Sequence, residues 1–172
     1  MTVLVISDVH GRGERVEELL ARGCHYDGIF FLGDGIRGLN EELCRENGRM
    51  LVTVRGNCDG TMLDWMAPEE RILSLGEYTV LMMHGHTHGV KHGVERAAAY
   101  AASKGADLLL YGHTHIPEEQ YLPEGTELLG VTLKKPLRIM NPGSLGEPTG
   151  ARPSFGVIEL RRGQMLLSHG QL

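Results

Sequence analysis

Seven residues of types that bind metal ions stand just after apolar runs of this sequence. Asp8 and His10 come after TVLVI (Thr2 to Ile6), Asp34 after GIFFL (Gly28 to Leu32), and Asn57 after MLVTV (Met50 to Val54). His84 follows the run that ends at Met83, and His113 with His115 follow LLLY (Leu108 to Tyr111). Alone, an Asp-x-His, Gly-Asp or Gly-Asn string is more often a turn or a helix cap than a ligand site. Their shared position at five run ends points to one cleft. Seven side chains of mixed nitrogen and oxygen type exceed a single tetrahedral zinc site and suit two cations sharing a carboxylate. Asp34, isolated between Gly33 and Gly35, is the expected bridge. Imidazole balanced by carboxylate favours Mn²⁺, Fe²⁺, Co²⁺, Ni²⁺ or Zn²⁺ over Mg²⁺ and Ca²⁺, which prefer all-oxygen shells; Mn²⁺ is the first expectation. Two such ions roughly 3.5–4 Å apart generate a bridging hydroxide and clamp the oxygens of an in-line displacement at phosphorus. Phosphoester hydrolysis is the predicted reaction.

The elements that must place these residues alternate between strand and helix. Thr2 to Ile6 is continuous and β-branched, as in a central strand covered on both faces. Arg12 to Gly23 reads as a helix with Val16, Leu19 and Leu20 on one stripe, and Leu39 to Asn47 as a second, shorter one. With strands at Gly28 to Leu32 and Met50 to Val54, the order predicts a right-handed parallel sheet, whose ligands gather at the carboxyl ends of strands. Met62 to Glu70, with the only tryptophan, Trp65, reads as irregular. Arg71 to Leu75 and Tyr78 to Met83 read as a hairpin, and Val94 to Lys104 as a helix. Gly112 then breaks the Leu108 to Tyr111 strand into a turn that sets His113 and His115 side by side. Beyond it, Glu118 to Leu122, Glu127 to Leu133, Leu137 to Met140, Ser154 to Leu160 and Gln164 to Ser168 predict a second, mostly antiparallel sheet. Pro142 to Pro153 reads as a loop, so the expectation is one domain over 1–172.

Composition narrows the partners. A net charge of -5 without a Lys/Arg block lacks the footprint of a protein that grips long nucleic acid, whereas a small anionic substrate stays compatible through bound cations. Three cysteines (Cys24, Cys44, Cys58) without CxxC spacing argue against a disulfide framework and for a reducing compartment, the cytoplasm by default. The apolar start is too short for a signal core, and no apolar run reaches the length of a membrane span. Homo-oligomerisation stays open.

The blocks Asp8-Val9-His10, Gly33-Asp34, Gly56-Asn57-Cys58-Asp59, His84-Gly85-His86 and Gly112-His113-Thr114-His115 resemble, in order and spacing, the motif set of the calcineurin-like metallophosphoesterases. Asn141-Pro142-Gly143-Ser144 is similar to a loop of the small phosphodiesterase branch. The resemblance implies an α/β fold, a four-layer α/β/β/α sandwich of two mixed sheets flanked by helices. It implies one metal at Asp8, His10, Asp34 and His115, and another at Asp34, Asn57, His84 and His113. It further implies a small phosphodiester as substrate. A phosphomonoesterase or nucleotidase is the enzymatic variant, and a protein-binding scaffold like the retromer subunit of this fold is the non-catalytic one. Because that subunit has lost some ligands and all seven positions are filled here, catalysis is the stronger expectation. A DNA-repair nuclease is weaker, since that branch is similar in the core motifs alone.

One departure concerns the leaving group. Many relatives have a histidine able to protonate it directly after the motif asparagine, where this chain has Cys58. A thiol of ordinary pKa, about 8.5, is a poor substitute, and packing is the competing role. Asp59 reads either as a carboxylate orienting a histidine or as a turn residue. Gly85-His86-Thr87-His88 repeats the GHTH string, but the motif order gives the ligand role to His84 and leaves His86 a place lining the cleft. His25, His88, His92 and His169 read as surface histidines. Arg12 and Arg55 flank the motifs and are positioned in sequence to meet a phosphate oxygen, though a solvated charge is the commoner role.

Overall fold

The computed structural model describes residues 1–60, 66–150 and 152–172. Along the chain lie β1 (Thr2–Ile6), α1 (Gly13–Ala21), β2 (Gly28–Phe31), α2 (Glu41–Cys44), β3 (Met50–Thr53), β4 (Glu70–Leu75) and β5 (Tyr78–Met83). There follow α3 (Glu95–Ser103), β6 (Leu108–Leu110), β7 (Pro117–Leu122), β8 (Glu127–Leu128), β9 (Val131–Thr132), β10 (Leu137–Pro142), β11 (Ser154–Arg161) and β12 (Gln164–Gln171). Of the stretch expected to be irregular, 62–65 lies outside the described residues, and Glu70 already belongs to β4.

Two mixed five-stranded sheets result, ordered β12-β11-β1-β2-β3 and β4-β5-β6-β10-β7. β1, β2 and β3 are parallel, as are β5, β6 and β10, and antiparallel strands complete each sheet. Contrary to expectation, the strands beyond His115 do not together build the second sheet; only β8 and β9 pair apart, as a two-stranded hairpin. β7 and β10 complete the second sheet, while β11 and β12 return to the first. The physical reason is β1: buried on both faces, it must also be paired on both edges, and β11 supplies the edge that β2 leaves open.

Three apolar clusters define the layers. Val3, Val5, Phe30, Val80, Met82, Leu108, Leu110, Met140 and Ile158 meet between the sheets. The alternating residues of the same strands face outward. Leu4, Ile6, Ile29 and Phe31 pack with Val16 and Leu19 of α1 and Cys44 of α2. On the other side Leu81, Met83, Leu109, Tyr111 and Ile139 pack with Ala97, Ala98 and Ala101 of α3. The period of two thus serves two cores at once, which is why these strands read as unbroken apolar runs. Helix, sheet, sheet, helix is the expected sandwich.

Two elements are shorter than their patterns. α2 is a single turn, capped by Asn40 Oδ1 accepting from the Leu43 N–H at 3.1 Å, and a 3₁₀ turn at Glu46–Gly48 follows. The run Glu127 to Leu133 is split at Leu129 and Gly130, whose φ of 49° and 81° fold it into the β8–β9 hairpin. A leucine in the left-handed region carries no turn signal, so the pattern concealed the turn. Among the described residues no helix is long and apolar enough to cross a membrane. Leu108→Ala, at a fully buried inter-sheet position far down β6 from the strand end, is expected to lower the unfolding free energy by about 2–5 kcal/mol in urea denaturation.

Candidate metal centre

Parallel strands of both sheets present their carboxyl ends at one rim. Backbone bonds lace the loops there: Asp8 N–H to Gly33 O (2.9 Å), His10 N–H to Asp34 O (3.1 Å) and Gly112 N–H to His84 O (3.1 Å). Of eight non-glycine residues with positive φ among the described residues, five are predicted ligands: Asp8 (53°), His10 (44°), Asp34 (61°), His113 (68°) and His115 (61°). Each such residue costs roughly 1–2 kcal/mol. The loops turn back sharply enough to aim these side chains into the rim. Glycine makes room: a Cβ at Gly56 would lie 2.0 Å from Asp34 Oδ1, and one at Gly112 would lie 2.0 Å from Ser7 Oγ.

The side chains form two clusters that share Asp34. In the first, His115 Nε2 stands 3.1 Å from Asp8 Oδ1 and 3.3 Å from His10 Nε2, with His10 Nε2 3.9 Å from Asp34 Oδ2. In the second, His84 Nε2 stands 3.1 Å from His113 Nδ1 and 3.2 Å from the same Asp34 Oδ2. His113 and His115 are therefore not side by side; they diverge into different clusters, because each lies in the left-handed region with Thr114 between. Asp34 Oδ1 is taken by the Cys58 N–H at 2.7 Å, which leaves Oδ2 facing both clusters.

Metal ligands need orientation from behind, and the backbone supplies it. His84 Nδ1 donates to Leu32 O at 2.8 Å, and His115 Nδ1 donates to Glu147 O at 2.6 Å, so each ring presents Nε2 to the cluster. Asp8 Oδ2 accepts from Ser7 Oγ at 2.6 Å and from the His113 N–H at 3.0 Å. Asp8 Oδ1 is buried, in contact with imidazole nitrogens yet in no aligned hydrogen bond. A buried carboxylate oxygen left without a hydrogen bond is costly, and a cation at this point satisfies it. The donor set fits divalent metal ions.

The remaining predicted residues stand around this core. Asn57 Nδ2 donates to Cys58 Sγ at 3.2 Å, so its carbonyl oxygen is the atom suited to a cation. Cys58 is exposed and so does not pack in the core as expected; its sulfur shares a ligand-sized group with His10 and Asp34, adding a thiol to a set read as thiol-free. Asp59 orients no histidine. Its buried carboxylate accepts the N–H groups of Asp34 (2.7 Å), Gly35 (2.8 Å), Ile36 (3.1 Å) and Gly56 (2.9 Å), pinning the Asp34 and Asn57 loops together. His86 lies beside the second cluster, its ring 5.5 Å from His84 and 6.1 Å from His113. His88 is half-buried against Tyr100, whereas His25, His92 and His169 are exposed. Arg55 is paired with Glu69 at 2.7 Å, and Arg12 is exposed. Ser7, Asn141, Ser144 and the Glu147 carbonyl escaped sequence reasoning, since none is of a type that pattern singles out; the NPGS string was the one available signal.

Residues 1–163 match the family model of the calcineurin-like phosphoesterase superfamily domain. The chain belongs to this superfamily. It is 31% identical over 166 residues to the probable metallophosphoesterase YsnB of Bacillus subtilis, covering 93% of this chain and 85% of that protein. It is 28% identical over 183 residues to phosphodiesterase YfcE of Escherichia coli, covering 92% and 88%. Among solved structures, a Vps29 variant of Entamoeba histolytica superposes with a TM-score of 0.72 at 22% identity, over 100% of this chain and 99% of that one, which shows the shared fold.

In this calcineurin-like phosphoesterase the carboxylates and imidazoles of the site shift one another's proton affinity. Burial pushes the Asp34 carboxyl upward, but the His84 imidazole and the Cys58 N–H outweigh it and bring it to about 2. For Asp8, burial is likewise outweighed by His10, His115 and His84, and it falls well below the carboxylate range. Asp8 raises His10 and His115 in turn; in His84 the lowering by burial is overcome by Asp34 and Asp8. His113, lowered by burial and then by its neighbour His84, drops to about 4 and stays neutral. The raised imidazoles stabilise the fold below 6.5 and lose that contribution as pH rises through their raised values; Asp34 loses its contribution only as pH falls toward about 2. In chelator, the thermal midpoint is therefore expected to fall as pH rises above 6.5, and saturating Mn²⁺ should abolish that fall by replacing the protons. A chelated profile that stays level would count against proton-bridged carboxylates.

Proposed function

We propose that the chain is a single-domain cytoplasmic phosphodiesterase, over residues 1–172, that hydrolyses small phosphodiesters with two divalent cations, Mn²⁺ foremost. The observation that carries this is Asp34 Oδ2, which faces both imidazole clusters at 3.2 Å and 3.9 Å. In this reading Asp8, His10, Asp34 and His115 hold one cation, and Asp34, Asn57, His84 and His113 hold the other. When bound, the cations supply Lewis acidity to the attacking water and to the phosphoryl oxygens. The protein contributes the fixed geometry. Leu32 O and Glu147 O hold two rings with Nε2 inward, and Asp59 holds the loop that carries the shared carboxylate. His86 beside the second cluster, Arg12 at the start of α1 and Cys58 at the mouth are the side chains proposed to meet the substrate.

The similarity to the phosphodiesterase YfcE supports a diester over a monoester substrate. The filled ligand positions favour catalysis over the scaffold role. Chelation should abolish diester hydrolysis and added Mn²⁺ restore it; full turnover by metal-stripped protein would sink the mechanism. Asp34→Ala should cost at least as much as any other single ligand change, since both cations lose a partner, and a variant with two bound metals and wild-type turnover would remove Asp34 from its role.

Cys58 sets a further expectation. Burial, and then its bond to Asp34, push the thiol up to about 11, so it is a reluctant proton donor. General-acid help is worth about 10²–10⁴-fold, and without it leaving-group quality controls the rate. Aryl diesters should be hydrolysed far faster than alkyl diesters, giving a steep plot of log rate against leaving-group pKa, while Cys58→Ala changes little. Cys58→His should flatten the plot. A level plot for the natural chain would reveal an acid elsewhere.

A further inference from the structure

Outside the ligand set, the largest concentration of buried hydrogen bonding onto the ligand turns comes from the end of β10 and the loop after it. Asn141 and Ser144 are both fully buried. Buried polar side chains must find partners, and these two find theirs on loops more than 25 residues away in sequence. Asn141 Nδ2 donates to Gly112 O and to Thr114 Oγ1, each at 3.0 Å, which grips the turn on both sides of His113. Its Oδ1 accepts from the Gly143 N–H at 2.9 Å, so the amide is spent on holding the two loops in register.

Ser144 closes a circuit. Its Oγ donates to Asp8 O at 2.8 Å and accepts from the Glu147 N–H at 2.8 Å. Glu147 O accepts from His115 Nδ1, and His115 Nε2 returns to Asp8 Oδ1 at 3.1 Å. Backbone bonds from Leu145 N–H to Ser7 O (3.2 Å) and Gly146 N–H to Asp8 O (2.9 Å) run alongside, and Arg15 Nη1 donates to Gly146 O at 3.0 Å. The loop cannot slide, because a Cβ at Gly146 would sit 2.1 Å from Val9 O. Asp8 and His115 have positive φ, and such residues persist only where their surroundings over-determine them.

We propose that Ser144 and Asn141 are positioning residues for the centre, a step that rests on the metal reading above: Ser144 sets the affinity of the Asp8, His10 and His115 half for its cation, and Asn141, which grips the turn carrying His113 and His115, sets the affinity of both halves. Neither residue is itself a ligand. Hydrogen-bonding partners behind metal ligands typically contribute about 10–100-fold in metal affinity, which is the size of effect expected here.

The test uses the full chain with Mn²⁺ alone, titrated calorimetrically, together with long-range ¹H–¹⁵N spectra of the histidine rings in the metal-free protein. The natural chain should bind two ions and, at a pH high enough for the ring to be neutral, show His115 with its proton on Nδ1. Ser144→Ala should weaken one ion by about 10–100-fold, leave the other unchanged, and release the fixed tautomer of His115. Asn141→Asp keeps the shape but loses both donors; because the turn it releases carries His113 and His115, it should weaken both ions, and it serves if Ser144→Ala does not fold. Two ions bound by either variant as in the natural chain, or equal weakening of both ions by Ser144→Ala, would overturn the inference. Failure of the natural chain to bind any ion would instead sink the metal reading, and the inference with it.

Discussion

The structure is governed by two buried carboxylates drawn to the same imidazoles. Asp8 Oδ1 and Asp34 Oδ2 both stand within 3.9 Å of His10 Nε2 and of His84 Nε2. Two like charges taken out of water are tolerated only with opposite charge between them. The carboxylates accordingly raise the proton affinity of His10, His84 and His115, and the same arrangement suits divalent cations. The features of the rim follow from keeping these groups close: left-handed turns, glycines where a Cβ would collide with a carboxylate, and backbone carbonyls that hold the rings.

The same constraint explains the distribution of polar groups behind the ligands. Asp59 accepts four backbone N–H groups and so fixes the loops after β2 and β3. Asn141 and Ser144 do the corresponding work for the loops after β6 and β1. Each sheet thus contributes a bracket that grips loops rather than ligands. Strands place the ligands to within a few ångströms, and the brackets remove the remaining freedom.

Much of this was legible in the residues. Val3, Leu4, Val5 and Ile6 form a run with no polar face, and such a run requires cover on both sides; the two clusters it feeds are that cover. Asp8, Asp34, His84 and His115 stand out because each follows such a run and is of a type able to bind a metal, and the fold brings them to one rim. The return of β11 to β1 was hidden, since pairing across more than 150 residues leaves no local trace. The turn at Leu129 was hidden because leucine seldom adopts positive φ. For Asp59 the sequence leaves two roles open, orienting a histidine or holding a turn, and its spacing from Asn57 says nothing of the four amides that converge on it. The divergence of His113 and His115 depends on backbone angles that a His-Thr-His string does not encode.

The three apolar interfaces lie below the rim and share no side chain with the ligand clusters. Positive-φ ligands, buried charge and collision-limited glycines are gathered instead at one end. Stability and chemistry are therefore stored in separate places. A substitution that gives up a cation also sheds some strain and charge burial, leaving the sandwich beneath it intact. For a fold organised in this way, the apolar sandwich can stay folded after a ligand is lost, so a lineage released from catalysis inherits a ready-made, rigid surface for other work.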